Sequence, residues 1–439
     1  MLIPEYVLQC LQTLENAGFA CYCVGGCVRD ALLGNTPHDY DLCTAATPEQ
    51  MKSVFADRNL VLAGEKHGTV GVITQEGVVE ITTFRTEGEY NDNRHPNWVA
   101  FVTDIETDLS RRDFTINAMA YSPTRGFVDP FGGRADLENK ILQAVGNPAT
   151  RFQEDSLRIL RGVRFAVRFG LTPQEATMQA MVQLAPLMDN LAKERIFDEL
   201  CKLLPLVNAE DLLHYIPVLQ QVIPQLKPLV GFDQRTPHHA FDIFTHTAYV
   251  TEGIPAELTL RWAALLHDIG KPNAFTLDET GRGHFKGHAQ YSAEIADDIL
   301  HQLKAPNILR EQVVFLIAHH MDRLIPDPKL LRRQLSRYGE DTLRQMLALQ
   351  KADFGSKGVV GEDPHFEEIE SLIVQIIAEN SCLSIKDLAV NGHDLIALGL
   401  SGKEIGNALN TLLDAVLEER LPNEKEALLQ AATENQLSR

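Results

Sequence analysis

Two hydrophobic periods divide this chain. IPEYVLQCLQTLENAGF has apolar residues at helical spacing, an early Pro4 and a stopping Gly18, and it reads as a helix. Cys21-Tyr22-Cys23-Val24 is an unbroken apolar run that reads as a buried strand, followed by Gly25-Gly26 and a short helix from Val28 to Leu33. Strands are predicted near 21 to 25, 38 to 43, 69 to 74, 78 to 84 and 98 to 102. From about residue 135 the apolar period is helical rather than alternating, as in MVQLAPLMDNLAKERIFDELCKLL, and no tandem repeat or low-complexity tract interrupts it. The pattern predicts an α/β head followed by an all-helical body, with a break in character near 230 to 240, GFDQRTPHHAF.

Chemistry enters with GGCVRDALLGNTPHDYDLCTAAT. It sets the glycine pair thirteen residues ahead of Asp39 and Asp41. On a strand, residues i and i+2 share a face, so the two carboxylates point one way and Tyr40 the other. Such a pair can hold Mg²⁺, which is normally shared between one or two carboxylates and substrate phosphates. With two metals, one activates the attacking hydroxyl and the other steadies the leaving pyrophosphate. An isolated Asp-x-Asp reads as a solvated strand end. Here a strand, a glycine turn and a helix start precede it, where backbone N–H groups can meet phosphate oxygens. Gly26 allows close approach, and Arg29 can add charge-assisted bonds to a triphosphate.

GGCVRD and DYD, together with RRDFTINAMAY at 111 to 121, FVDPFGGRADLENKILQAVG at 127 to 146 and RFQEDSLRILRGVRF at 151 to 165, stand in the order found in a known family. Over roughly the first 200 residues the chain resembles the class II tRNA nucleotidyltransferases, or CCA-adding enzymes, of the polymerase-beta-type nucleotidyltransferase superfamily. The later segments look like the bacterial form with an appended HD domain. The resemblance implies an α+β fold: a nucleotidyltransferase head with a mixed sheet at 1–135, a helical neck for nucleotide recognition and RNA binding at 136–230, an HD body at 231–360 and a helical, tRNA-binding tail at 361–439. It also implies that Gly26 and Arg29 contact the nucleotide, that Asp39 and Asp41 bind catalytic Mg²⁺, and that Arg112 contacts the nucleotide. Glu80, in VVEITTF, looks like the superfamily's third carboxylate on a neighbouring strand, though an ordinary exposed strand carboxylate is an equal reading. Asp113 is read as ordering a helix start.

Read as one helix, RFQEDSLRILRGVRF places Asp155 and Arg158 at i and i+3, with Arg161 and Arg164 following at the same interval. Without the resemblance this would be a salt-bridged surface helix. With it, Asp155 and Arg158 are implied to read the base. Cytosine and adenine each present an amino donor beside an unprotonated ring nitrogen, which suits a carboxylate next to a guanidinium; guanine and uracil present the reverse, and a mismatched site of this kind loses on the order of 10⁴-fold. CTP and ATP would then be chosen without a nucleic-acid template, with Arg161 and Arg164 reaching phosphates or supporting the pair. The polar insert FRTEGEYNDNRHPNWVAFV at 84 to 102 looks like the family's flexible loop, which complete CCA synthesis requires; a long hairpin tip is the alternative.

The body carries a second constellation. His246, His267-Asp268 in LRWAALLHDIGKP, and Asp353 in LQKADFG resemble the HD phosphohydrolase superfamily, with His288, His319 and His320 as additional members. A His-Asp doublet with a distant His and Asp can make an octahedral site for Ni²⁺, Mn²⁺ or Mg²⁺. Phosphatase or phosphodiesterase activity is one implication, and a purely RNA-holding helical body is the other. The segment from DLAVNGHDL onward resembles the family's tail, expected to grip the tRNA elbow near Gly392 and Gly402, or else to serve as a helical cap.

At 439 residues the chain is long enough for about three domains. Hydrophobic content is 44%, and no run approaches the ~18 apolar residues a spanning helix needs. The N-terminus has no signal-peptide pattern, so a cytoplasmic enzyme without a membrane partner is expected. Seven cysteines without a CxxC pair suggest reduced thiols rather than a zinc site. A net charge of −20 opposes a general nucleic-acid coat, but arginines between 151 and 168 and a cluster at Lys329, Arg332, Arg333 and Arg337 provide basic strips for holding one RNA end. Besides CCA addition to tRNA, the motifs leave two readings open: a poly(A) polymerase, and an HD phosphohydrolase whose N-terminal half only binds RNA. Oligomeric state is not legible.

Overall fold

The computed structural model of the chain describes residues 1–88, 98–359, 364–379 and 382–437. The chain forms two compact units, one of Met1–Lys227 with His301–Ala305 and one of Pro228–Leu300 with Pro306–Arg439.

The first unit has the mixed-sheet head and helices of an α+β fold. Its strands are β1 (Cys21–Val24), β2 (Leu42–Thr44), β3 (Leu60–Val61), β4 (Thr69–Ile73), β5 (Val78–Thr83), β6 (Arg85–Glu87), β7 (Val99–Phe101), β8 (Ala120–Ser122) and β9 (Gly126–Val128). Seven of them form one sheet in the order β3-β4-β5-β2-β1-β8-β9, antiparallel except where β2 runs parallel to β5. β1 is buried along its whole length. Tyr22 and Val24 join Cys43, Phe84, Leu109, Ala118, Ala120 and Val145 in one core, while Cys21 and Cys23 alternate to the other face. A strand covered on both faces must be apolar throughout, which is why its sequence showed no alternation.

The strand expected at 38 to 43 is shorter in the structure. Only Leu42–Thr44 joins the ladder, and Asp39 and Asp41 lie in the exposed segment leading into it. That segment, NTPHDYD, has almost nothing apolar to bury, so the sheet holds it only by Val24 N–H donating to Asp41 O at 3.0 Å. Strands β3, β6, β8 and β9 went unforeseen, being two or three residues each. β6 and β7 pair as the stem of the 84 to 102 insert, with Arg85 opposite Phe101; the centre of that insert, 89–97, lies outside the described residues.

RFQEDSLRILRGVRF is two helices, not one. Pro148–Glu154 ends at Asp155, whose backbone is extended at φ −140°, ψ 103°, and Leu157–Phe169 starts two residues on. Asp155 Oδ1 accepts from Leu157 N–H at 3.1 Å, the local side-chain bond by which aspartate competes with helix continuation. Leu157, Ile159, Leu160, Val163 and Phe165 bury the second helix, and Gly170 ends it at φ +61°.

Among its described residues, the second unit is helical apart from a hairpin pairing Thr276–Leu277 with Gly283–His284. Helices Ile243–Gly253, Leu258–Leu266, Asn307–His319 and Glu340–Gly355 pack on one another around the fully buried Trp262 and Phe244. Leu388, Leu395, Leu412, Leu417 and Leu428 form a separate apolar cluster towards the C-terminus. The basic strip on helix Pro328–Tyr338 is largely neutralised within this unit. Lys329 and Arg332 pair with Glu419, Arg333 pairs with Glu418, and Arg332 also reaches Glu379.

Candidate active site and a second candidate metal centre

The turn from β1 into the helix Gly26–Leu32 depends on Gly25 more than on Gly26. Gly25 sits at φ +74°, and a β carbon there would lie 3.0 Å from Arg112 Nη1. At Gly26 a β carbon would meet only Arg29 Nη2, at 3.6 Å, which leaves that face open for a ligand. Sequence reasoning chose the second glycine; the pair itself was the signal for the first.

Arg29, expected on the triphosphate, is 6% exposed and fully engaged. Its Nη1 donates to Asn117 Oδ1 at 2.5 Å, its Nε and Nη2 donate to Asp30 Oδ1, and the guanidinium stacks 4.4 Å from the Phe169 ring centre. In this arrangement it braces the turn. Arg164 is likewise buried and paired with Glu199 at 2.6 Å. Both placements have one cause: a charged residue on the apolar face of a helix is buried with its partner when one is supplied.

Asp39, Asp41, Glu80 and Arg112 do come together. Leu42 is opposite Ile81 in the parallel pair β2–β5, so Asp41 and Glu80, each one residue earlier, stand side by side. Although Asp41 is exposed as a residue, the protein packed around its carboxyl desolvates it and pushes its pKa above the ordinary value; the Arg112 guanidinium opposes the rise, and the charges of Glu80 and Asp39 add to it. Arg112 is held from behind by Asp108, which is 1% exposed and also binds Arg111 at 2.9 Å. Crowded carboxylates facing one guanidinium suit a divalent cation, which relieves their mutual repulsion. Their ligand atoms do not form a set of three within 4.8 Å of one another.

Asp155 and Arg158 flank the helix break, each with its own partner. Asp155 Oδ2 accepts from Arg195 at 2.9 Å. Arg158 donates to Glu154 Oε2 at 2.7 Å and to the carbonyls of Arg151 and Arg111. Both remain partly exposed and oriented by fixed neighbours. Arg195 was missed; it lies in the KERIFDEL stretch, which read only as an amphipathic helix.

Arg161 binds Asp113 at 2.7 Å, and Asp113 also accepts from Asn117 Nδ2 and its neighbour's backbone Phe114 N–H. Burial works against the Asp113 carboxylate, yet Arg161 and Asn117 hold its pKa down to about 2. Its stabilisation is therefore complete above about pH 4 and is lost as the pH falls towards 2. Asp113→Asn is expected to destabilise the protein by about 3 kcal/mol at neutral pH, because it strands a guanidinium beside a neutral amide. Urea melts of wild type and variant should converge on acidification; a gap that stays constant down to pH ~2.5 would refute this.

In the second unit His246, His267, Asp268, His288, His320 and Asp353 converge. Among the described residues, two sets have ligand atoms within 4.8 Å of one another: His246, His267 and Asp268, and Asp268, His288 and His320. His246 Nε2 is 3.0 Å from Asp353 Oδ1 and 3.5 Å from Asp268 Oδ2. His267 Nε2 is 3.2 Å from Asp268 Oδ2, His288 Nε2 is 3.3 Å from Asp268 Oδ1, and His288 and His320 meet Nε2 to Nε2 at 3.1 Å. Each Nδ1 lies within hydrogen-bond reach of a backbone carbonyl: Ser356 for His246, Ala264 for His267, Phe285 for His288 and Ile317 for His320. With Nδ1–H donated outward, every Nε2 faces inward, where loss of any proton it carries leaves a lone pair for a metal, which is how protein scaffolds prepare imidazoles for metal binding. His267 Nε2 is buried without a hydrogen-bond partner, and a cation would satisfy it. Burial lowers the pKa of His267, but Asp268 and Asp353 hold it above the ordinary value; burial with His267 beside it drives His320 down to about 4.

His319, by contrast, turns away. Its Nδ1 bonds Asp322 at 2.7 Å and its ring lies against Phe315 and Tyr338, because adjacent helical residues point about 100° apart. Lys271, one turn after the doublet in HDIGK, was not singled out; its Nζ reaches Asp268 at 2.7 Å and Gln234 at 2.8 Å. The cluster opens into a cavity of about 370 Å³ whose wall includes Lys357, Arg282 and Lys286.

Comparison with known proteins places the first unit among nucleotidyltransferases. A family model described as "Poly A polymerase head domain" matches residues 21–143, one described as "RNA and SrmB-binding site of polymerase A" matches 170–229, and one for tRNA nucleotidyltransferase domain 2 matches 285–432. The CCA-adding enzyme of Streptococcus mutans is 32% identical across 97% of this chain and 96% of its own length, and that of Levilactobacillus brevis is 35% identical across the same shares. The Bacillus stearothermophilus CCA-adding enzyme, solved in complex with CTP, superimposes with a TM-score of 0.71 at 28% identity, covering 100% of this chain and 99% of that one. The chain belongs to the CCA-adding enzyme family.

Proposed function

We propose that this enzyme adds and repairs the 3′-terminal CCA of tRNA, using CTP and ATP without a template. The observation that carries the reading is the grouping of Asp39, Asp41 and Glu80 against Arg112 in a chain of this family. Bound Mg²⁺ would activate the terminal hydroxyl and stabilise departing diphosphate. Asp39 and Asp41 would hold it, with Glu80 the third carboxylate, and Arg112 would meet the triphosphate above the Gly25-Gly26 turn. Asp155 would accept from the amino group of cytosine or adenine while Arg158 donates to the ring nitrogen. The incubation that tests this contains tRNA lacking CCA, Mg²⁺, and each NTP singly and mixed. Ordered C, C, A followed by arrest supports the proposal, and runaway A would make the enzyme a poly(A) polymerase.

A second activity rests on the inward-facing Nε2 atoms of His246, His267, His288 and His320. We infer that residues 231–360 are an HD domain that binds a divalent metal, Ni²⁺, Mn²⁺ or Mg²⁺, and hydrolyses phosphate esters in the basic cavity beside it. His267→Ala with Asp268→Ala is expected to remove metal binding, read by titration calorimetry, and to stop metal-dependent hydrolysis of p-nitrophenyl phosphate while sparing CCA addition. Hydrolysis that survives in this variant would eliminate the assignment. Loss of CCA addition as well would show that the residues hold the fold.

A further inference from the structure

The cavity beside the histidine and aspartate cluster of the second unit carries more positive charge than a single phosphate needs. Its wall holds four cations, Lys271, Arg282, Lys286 and Lys357, against two carboxylates, Asp268 and Asp353. Two of the four are already matched. Lys271 Nζ lies 2.7 Å from Asp268 Oδ2, and Lys357 Nζ lies 3.3 Å from Asp353 Oδ2. Arg282 instead donates from Nη2 to His238 Nε2 at 2.6 Å, and a ring nitrogen that accepts carries neither a proton nor a negative charge. Among the described residues neither Arg282 nor Lys286 pairs with a carboxylate.

The rim that bears these two cations is held in place. Its hairpin turns about Asp278, whose carboxylate accepts from Thr280 N–H at 2.9 Å and Arg282 N–H at 3.1 Å and meets His284 Nε2 at 2.8 Å. Gly283 N–H donates to Arg235 O at 2.8 Å, and a β carbon at Gly283 would stand 2.2 Å from Gln234 O, so glycine alone lets the hairpin press this close. The side chain of the same Gln234 accepts from Lys271 at 2.8 Å, and Phe285 O bonds His288 Nδ1 at 2.8 Å. Arg282 and Lys286 are thereby tied to the surroundings of Asp268 from two directions.

Resting on the HD reading above, we propose that this cavity binds organic bisphosphates, with one phosphate at the histidine and aspartate cluster and the other between Arg282 and Lys286. A guanidinium fork beside an ammonium suits a phosphate dianion. A monophosphate would leave the charge of that rim uncompensated. The volume, about 370 Å³, is in the range of small-molecule sites. In hydrolysis, water adds to the phosphorus at the cluster, the bond from phosphorus to the ester oxygen breaks, and that oxygen takes a proton. Inorganic phosphate leaves together with an alcohol that keeps its other phosphate.

The test titrates the full-length, Mn²⁺-loaded enzyme by calorimetry with a butylene-bridged bisphosphonate and with butylphosphonate, whose carbon–phosphorus bonds resist hydrolysis. The bisphosphonate is expected to bind at least ~10-fold more tightly, the worth of one further charge-assisted contact. In the double variant Arg282→Gln with Lys286→Gln this advantage should vanish; both side chains are exposed, so the fold is spared. Equal affinities in the wild type, or an advantage that survives in the double variant, would overturn the proposal. Turnover gives a second readout. With Mn²⁺, kcat/KM for adenosine 3′,5′-bisphosphate should exceed that for either adenosine monophosphate by at least ~10-fold, and the double variant should close the gap; equal values in the wild type would count against the second phosphate. Hydrolysis of p-nitrophenyl phosphate reads the HD assignment separately: its absence beside an intact bisphosphonate preference would remove the hydrolase and leave the bisphosphate site standing.

Discussion

Asp41→Ala is expected to lower nucleotide addition by at least about 10³-fold, roughly 4 kcal/mol of lost transition-state stabilisation, with tRNA affinity nearly unchanged. Asp41 is the most informative single position because it feels all these neighbours: burial of its carboxyl raises its pKa, Arg112 pulls it back, and Glu80 and Asp39 push it up. Removing it leaves Arg112 facing an incomplete carboxylate set. Asp39→Ala should behave similarly. Single-turnover rates at saturating CTP, together with filter binding of tRNA, separate the two quantities. A variant with full rates would remove these carboxylates from catalysis, and one with weakened tRNA binding would make them part of the RNA surface.

The second large effect concerns choice rather than rate. Asp155→Ala is expected to erode discrimination against UTP and GTP from on the order of 10⁴-fold towards about 10-fold, since neither wrong base then meets an opposed carboxylate. The ratio of kcat/KM for CTP to that for UTP reads this directly. Unchanged selectivity would mean that the base is recognised elsewhere. Asp155→Asn sharpens the test: its amide can donate to the carbonyl of uracil, so tolerance of UTP should exceed that of the alanine variant.

Much of this was legible beforehand, for reasons that differ by element. β1 and its glycine turn could be read because a doubly covered strand is an uninterrupted apolar run. The Asp39–Asp41 pair stood out as a local motif, while Glu80 came only from the family resemblance; the register of β2 against β5 brings Asp41 and Glu80 abreast. Short strands such as β8 and β9 were not legible, since three residues hold too little pattern to register a period. That Arg29 and Arg164 are buried was not legible, because only tertiary neighbours, Asn117 with Phe169 and Glu199, determine it. The break at Asp155 had a local signal that was passed over: Asp-Ser ahead of an apolar run is a helix start. In the second unit the spacing of His246, His267-Asp268 and Asp353 announced a cluster, but which of His319 and His320 joined it depended on the rotation of one helix.

That interruption also separates where Asp155 sits from what aims it. Inside a continuous rod, its bearing would follow from helical pitch alone. At a joint it is steered by a bond from Leu157 N–H and by Arg195, which arrives from the distant stretch Lys193–Leu203. On the proposed base-reading role of Asp155, fidelity would drift through substitutions that never approach a nucleotide, and a search for error-prone enzymes would do well to begin along that outlying helix.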